Sequence, residues 1–208
     1  MNRRASGLLL VASVFVALDV VWGAALPKAL PWLLAHRDPD ALDGLFWWIG
    51  LVGLMLDVAI GGLLTLGMAL AARGPLVRRR ALLASVLAGA SVAFIGLRMV
   101  LLYLLDNRYS IGSSTDWVLR LHSLAQLLLR GACLFVVART LRAVTSDPRI
   151  RAATTAMGVL VLIGLALPLW SSFVADVSAP GRFPINRFAV AALFLVVVAM
   201  LRRGEVTA

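Results

Sequence analysis

The sequence predicts an all-α integral membrane protein: a six-transmembrane-helix bundle with both termini in the cytoplasm. Hydrophobic residues make up 62% of the 208-residue chain, well above the roughly 45–50% apolar content of soluble domains. Apolar runs of about 20 residues, the length of a helix that crosses a bilayer, recur along the chain. Basic residues are concentrated in alternate connections between these runs. The length leaves room for one polytopic membrane domain, residues 1–208, and for no soluble domain.

Each span is predicted from its own apolar run. The first run follows a short basic leader and is interpreted as a retained helix, because it is longer than a typical signal-peptide core and contains Asp19. Residues 27–44 are predicted to be an outer connection, because three prolines interrupt them. The last run is close to the lower length limit of about 17 residues. The predicted spans are residues 5–26, 45–72, 81–105, 117–138, 152–174 and 185–201.

The distribution of basic residues predicts the orientation. The N-terminus, the loops 73–80 and 139–151 and the C-terminus carry twelve arginines, whereas the other side carries five basic residues among six aspartates. Positive residues favour the cytoplasmic side. We therefore expect a multi-pass protein of a bacterium-like inner (plasma) membrane, with the bilayer as its principal partner. All six tryptophans fall near the predicted outer ends of spans, where they would act as interfacial anchors or line an outer vestibule.

Several functional classes lack support in the sequence. The net charge of +10 does not indicate a nucleic-acid-binding protein, because no basic face is interleaved with aromatic residues. The single cysteine, Cys133, is interpreted as a small apolar residue within a helix. The HRDPD segment at residues 36–40 is interpreted as a solvated turn. We predict no metal site, no cofactor and no catalytic residue.

Polar residues inside the predicted spans form the candidate site. An ionised residue near a bilayer centre costs about 2.5–3.5 kcal/mol on insertion scales, so such residues require partners or a wet cavity. Taking a rise of 1.5 Å per residue, Asp57 and Arg130 lie roughly 18–20 Å below the outer ends of their spans, and Asp19 and Arg98 lie about 10 Å below theirs. The depths therefore predict two ion pairs, Asp57 with Arg130 and Asp19 with Arg98. The candidate residues are Asp19, Asp57, Arg98, His122, Gln126 and Arg130.

Helical spacing predicts that these residues face protein. His122, Gln126 and Arg130 recur every four residues, so they share one face of the fourth span. Asp57 lies in a similarly spaced stripe of small residues, along which another helix can approach closely. This stripe consists of Gly53, Asp57, Gly61 and Thr65, and the third span carries a comparable stripe of Ala81, Ser85 and Gly89.

The buried charges have three interpretations. They are structural ion pairs that fix helix packing, a site for a small anionic solute or a lipid phosphate, or a proton path through Asp57, His122 and Asp19. The leading functional hypothesis is a small non-enzymatic membrane protein that binds or translocates a small anionic solute. The alternatives are a structural or regulatory subunit that binds partner helices or further copies of itself and, third, an enzyme that acts on a lipid-linked substrate through His122.

Overall fold

A computed structural model of the chain describes residues 3–36, 39–71, 75–106, 113–174 and 184–206, which are helical apart from the connection 145–147. Within these residues there is no β-strand. The predicted all-α class is therefore confirmed. The helices are α1 (Arg3–His36), α2 (Pro39–Ala71), α3 (Pro75–Asp106), α4 (Ser113–Val144), α5 (Pro148–Val174) and α6 (Pro184–Val206).

Proline marks the start of four of the six helices, α2, α3, α5 and α6. The first helical position suits proline, because its missing N–H needs no partner there and its φ is already helical. At the start of α5, Asp147 precedes the proline and acts as the N-cap: its Oδ1 accepts a hydrogen bond of 2.8 Å from the backbone N–H of Arg149. Asp-Pro therefore ends the connection 145–147 and begins α5.

Two predicted connections are largely helical. α1 continues through Pro27 and Pro31 to His36, so the prediction that prolines interrupt residues 27–44 was wrong. Proline removes one backbone donor, but helices of membrane proteins tolerate this loss where neighbouring groups satisfy the freed carbonyl. The basic loops were also predicted too long, because residues 75–80 begin α3 and residues 139–144 end α4. Arginine is a good helix former, so a run of arginines does not end a helix.

The six helices form a closed ring. Each helix packs against the helices before and after it in the chain, and α1 packs against α6. The starts of α1, α3 and α5 therefore lie at the same end of the ring as the ends of α2, α4 and α6. We call this the basic end, because it carries exposed arginines on five of the helices. They are Arg3, Arg4, Arg78, Arg79, Arg80, Arg139, Arg142, Arg149, Arg151, Arg202 and Arg203.

Five helices are long and apolar enough to cross a membrane. The qualifying segments, among the residues described, are Arg3–Leu26, Trp48–Ala71, Val77–Leu97, Leu124–Val144 and Pro148–Ala166. Large apolar side chains are exposed all round the ring, among them Leu66, Val86 and Val159. Such an outer surface suits acyl chains better than water. These features are those of a multi-pass membrane protein.

Among the side chains that the structure describes, the hydrophobic core lies in the half of the ring nearer the basic end. Its largest fully buried side chains include Leu9, Met68, Leu141, Met157 and Phe194, which come from five helices. Together they pack into one hydrophobic cluster in the interior of the ring.

The predicted stripes of small residues pack α2 against α3. A Cβ atom at Gly61 would overlap the Val92 side chain, so glycine allows the two backbones to approach. One turn farther along, the Ser85 hydroxyl donates a 3.0 Å hydrogen bond to the Thr65 carbonyl, and Thr65 Oγ1 lies 3.5 Å from the Ser85 carbonyl. Gly53, in contrast, has open space at its Cβ position. The part of the stripe toward the basic end is therefore the contact surface.

Candidate functional site

An ion pair between Arg130 of α4 and Asp57 of α2 forms the centre of the site. The two helices are not neighbours in the ring, because α3 lies between them. The pair was predicted from matched depth, and the structure confirms it. The Arg130 side chain is nevertheless 34% exposed and that of Asp57 19% exposed. The pair therefore borders an accessible space and is not sealed within the core.

Asp19 of α1 lies within electrostatic range of this pair and of Arg187 of α6. The Asp19 carboxylate of α1 is attracted by Arg130 and by Arg187 of α6, and it is repelled by Asp57. Among the described residues, no basic side chain lies at ion-pair distance from Asp19. We call these four residues, Asp19, Asp57, Arg130 and Arg187, the charged cluster.

Helix register explains why the two carboxylates are at the same level. Gly67 of α2 lies against Leu8 and Leu9 of α1, which fixes the alignment of these antiparallel helices. Asp57 is as many residues from Gly67 as Asp19 is from Leu9, and both lie away from the basic end. Because both helices rise by the same distance per residue, the two aspartates are at the same level. The two acids therefore lie at the same level on adjacent helices.

The Arg187 side chain is exposed, whereas the Asp57–Arg130 pair lies in the interior of the ring, because α3 separates the two helices that carry it. The pair also lies just beyond the hydrophobic core. Asp57 is two turns from buried Leu64 on α2, and Arg130 is two turns from buried Val137 on α4. Two turns correspond to about 10 Å along a helix. The packed core thus forms a floor on the basic-end side of the charged cluster.

Buried polar groups without partners adjoin the cluster. Gln126 lies one turn from Arg130 on the same face of α4 and is only 7% exposed. The contact of Cys133 Sγ with the Ala84 carbonyl aligns α4 with α3, and two turns farther on each helix this alignment sets Gln126 opposite Ser91, which is 6% exposed. Neither of these two side chains has a hydrogen-bond partner among the described residues. A buried, unsatisfied polar group costs about 1–3 kcal/mol, so it needs an explanation such as a ligand or ordered water.

The six sequence-predicted residues divide into two groups. Asp57, Arg130, Gln126 and Asp19 come together as described above. The side chains of Arg98 and His122 lie outside the described residues, so the pairing of Asp19 with Arg98 stays a prediction. Arg187 was not predicted as a site residue; its one sequence signal is its position in the first turn of the sixth predicted span.

The chemistry that this arrangement supports is recognition of charge. A guanidinium binds carboxylates and phosphates through paired hydrogen bonds, and a carboxylate forms ion pairs with cationic groups. Cys133 is buried and donates a 3.5 Å hydrogen bond to the Ala84 carbonyl, in keeping with its interpretation as a small apolar residue. No group of three or more His, Cys, Asp or Glu side chains that could hold a metal ion occurs among the described residues.

A concave surface lies between α1 and α2. It is an open groove of about 670 Å³, lined only by apolar residues of α1 and α2 such as Phe15, Leu51 and Met55. Met55 is 63% exposed on the outside of the helices, so the groove offers contacts to lipid and no polar group for a solute.

Comparison with known proteins gives no indication of the function. No family model, no curated protein and no solved structure matches this chain.

Proposed function

We propose that this chain is a six-span inner-membrane protein, with both termini cytoplasmic, that binds a small solute through an anionic group and moves it across the bilayer. Arg130 is the anion-binding residue, and Asp57 is the internal counter-ion that occupies it when no solute is bound. The observation that carries this proposal is the partial exposure of the Arg130–Asp57 pair beside a core whose side chains are fully buried.

Replacement of one carboxylate by another is the physical basis of this proposal. A lone arginine at membrane depth is unfavourable, so the empty site requires Asp57. A solute carboxylate or phosphate forms the same paired hydrogen bonds, and the Arg130 side chain is 34% exposed and so partly accessible to it. Exchange therefore keeps Arg130 neutralised in both states, and the contacts of the solute have to outweigh the cost of leaving Asp57 without its partner.

The proposed orientation determines from which side of the membrane the charged cluster is reached. With the basic end in the cytoplasm, the packed core lies on the cytoplasmic side of the charged cluster. The cluster is then reached from the outer side, which suits capture of an extracytoplasmic solute. Passage to the cytoplasm requires the core half of the ring to open.

Labelling of single cysteines tests this topology. The positions Ser146 and Ala35 are exposed and lie toward opposite ends of the bundle, and the native Cys133 is buried. In intact spheroplasts, a membrane-impermeant maleimide should label Ala35→Cys and leave Ser146→Cys unlabelled until the membrane is permeabilised. The reverse pattern would invert the orientation.

A structural role is the second candidate, and one observation favours it. The Arg130–Asp57 pair links two helices that are not neighbours, so it also pins the ring around α3. In that case the chain is a structural or regulatory subunit of a membrane complex. A protein recovered repeatedly in mild detergent as a lone monodisperse species would argue against this role.

Solute binding separates the two candidates. Purified protein in nanodiscs is screened with small carboxylates, phosphates and sulfates, and binding is detected as a rise in the unfolding temperature. At a ligand concentration of 100 times Kd, binding stabilises the folded state by about 2.7 kcal/mol. We expect at least one compound to stabilise the wild type and the matched control Arg142→Gln, and not the Asp57→Asn/Arg130→Gln double variant. A folded double variant that binds like the wild type would support the packing role.

A further inference from the structure

Two buried polar side chains, Gln126 and Ser91, have no hydrogen-bond partner among the described residues. Six polar side chains are buried in this part of the chain, and the hydroxyls of four of them donate to carbonyls of their own helices. These four are Ser6, Ser13, Thr140 and Thr154. Gln126 and Ser91, which are 7% and 6% exposed, are the exceptions, and a buried polar group without a partner indicates a ligand or ordered water.

Helix register places both exceptions at the level of the ion pair. Gln126 and Ser91 lie opposite each other on α4 and α3, as described above. Asp57 is eight residues from Thr65 on α2, and Ser91 is six residues from Ser85 on α3. Because Ser85 and Thr65 are hydrogen-bonded to each other, Asp57 lies only two residues, or about 3 Å, beyond the level of Ser91. The carboxylate, the hydroxyl and the amide therefore come from three consecutive helices at nearly the same level.

The Arg130 side chain extends past Gln126 to reach Asp57. By the same register, Asp57 lies about 9 Å farther from the basic end than the Cα atom of Arg130, so the guanidinium has to extend in that direction to form the ion pair. Side chains of a helix point back toward its N-terminus, and Gln126 is one turn N-terminal to Arg130 on the same face of α4. The guanidinium is thereby brought to the level of the Gln126 amide.

The anion-binding pair thus has a neutral hydrogen-bonding pair beside it. The Gln126 amide and the Ser91 hydroxyl each both donate and accept hydrogen bonds. A hydroxyl group placed between them donates to one and accepts from the other, whereas a hydrocarbon group would leave both unsatisfied. A keto group accepts only, and an ammonium group donates only. A hydroxyl group close to the anion is therefore the group that matches this pair.

We propose that Gln126 and Ser91 determine specificity and that the solute is a small hydroxy acid, whose carboxylate binds Arg130 and whose hydroxyl group hydrogen-bonds to Gln126 and Ser91. This rests on the proposed function and names its substrate class. Because the guanidinium and the amide lie at the same level, the hydroxyl is separated from the carboxylate by only a short carbon chain. Glycolate, lactate and 3-hydroxybutyrate represent this class.

Matched compounds test the proposal by titration of the purified protein in nanodiscs. Lactate is compared with propionate, which lacks the hydroxyl group, and with pyruvate, whose keto group only accepts. Glycolate with acetate and 3-hydroxybutyrate with butyrate complete the panel. We expect at least one hydroxy acid to bind about tenfold or more tightly than its matched carboxylate. Ser91→Ala and Gln126→Leu should each reduce this preference to less than about threefold and leave carboxylate binding in place.

Ser13→Ala is the matched control. The Ser13 hydroxyl is also buried, but it donates a 2.7 Å hydrogen bond to the Leu10 carbonyl of its own helix, so this variant should keep the preference for the hydroxy acid. Unfolding without ligand gives a second readout. Because the Ser91 hydroxyl has no partner to lose among the described residues, Ser91→Ala should leave the unfolding temperature unchanged or raise it. A lower unfolding temperature with an unchanged preference would assign Ser91 to packing and overturn its role in specificity.

The outcomes separate this inference from the proposed function. Carboxylates that bind as tightly as their hydroxy counterparts, or a preference that persists in both Ser91→Ala and Gln126→Leu, would overturn the hydroxy acid and leave the anion site standing. Binding of phosphates or sulfates alone would do the same. A protein that binds none of these anions would overturn both. If the variants do not fold, the comparison of matched compounds on the wild type still decides.

Discussion

The ion pair between Arg130 and Asp57 provides the sharpest test of the structure, through a double-mutant cycle of Asp57→Asn, Arg130→Gln and the double variant. Breaking a fully buried pair by removing one partner costs about 3–5 kcal/mol, whereas an exposed pair contributes only about 0–1 kcal/mol. With side chains 19% and 34% exposed, this pair lies between the two limits. We expect each single substitution to lower the free energy of unfolding by about 2–3 kcal/mol.

The double variant measures the interaction itself. The two amides carry no charge and can hydrogen-bond to each other, so the double variant should be more stable than the sum of the single effects implies, by about 1–3 kcal/mol. The assay is reversible unfolding in mixed micelles or bicelles, followed by helical circular dichroism or steric trapping. Arg142→Gln is the control: Arg142 is exposed on the same helix, and its substitution should change stability by no more than about 0.5 kcal/mol.

Additive single effects would refute this reasoning. A coupling energy within about 0.3 kcal/mol of zero is what separate, independent sites give. The two groups would then not form an ion pair in the folded protein, and the proposed solute site would lose its anion-binding pair.

Three other features give direct tests. Gly61→Leu should destabilise the protein by about 1–3 kcal/mol or more, because its side chain would overlap Val92, whereas Gly62→Leu, which meets open space, should have little effect in the same unfolding assay. Asp147→Ala should cost about 1 kcal/mol through loss of the α5 N-cap, and Asp147→Asn should retain most of that stability, because asparagine also caps helices. Cys133 is buried, so a small maleimide should modify it only after unfolding, as followed by mass spectrometry; rapid modification of the native protein would place it at an accessible surface.

Local sequence signals account for the parts of the structure that were predicted well. The helical class follows from apolar runs that must satisfy every backbone group within one segment. The Asp57–Arg130 pair follows from depth, since a fixed rise per residue converts sequence position into distance along the span. The contact between the Gly61 and Ser85 stripes follows from residue size. Each of these depends on one helix, or on two that are adjacent in the chain or matched in depth.

The ends of the helices were predicted less well, because where a helix ends depends partly on the groups that surround it. Pro27 and Pro31 remove backbone donors in any setting, but whether the helix ends there depends on what satisfies the freed carbonyls. The arginines at residues 78–80 and at 139 and 142 lie on helices, because charge marks the membrane boundary and does not end a helix. Sequence pattern alone identifies the apolar stretch and leaves the helical extensions beyond it undetermined.

By itself the sequence determined that this chain is a helical membrane protein, which of its charges lie at membrane depth, and which acid can reach Arg130. Only the tertiary structure decided that the helices close into a ring through the contact of α1 with α6, and this closure brings Arg187 and Asp19 into range of each other. The physical reason is that depth fixes one coordinate of a side chain, whereas its neighbours depend on the order of helices around the ring. No periodicity within a single helix records that order.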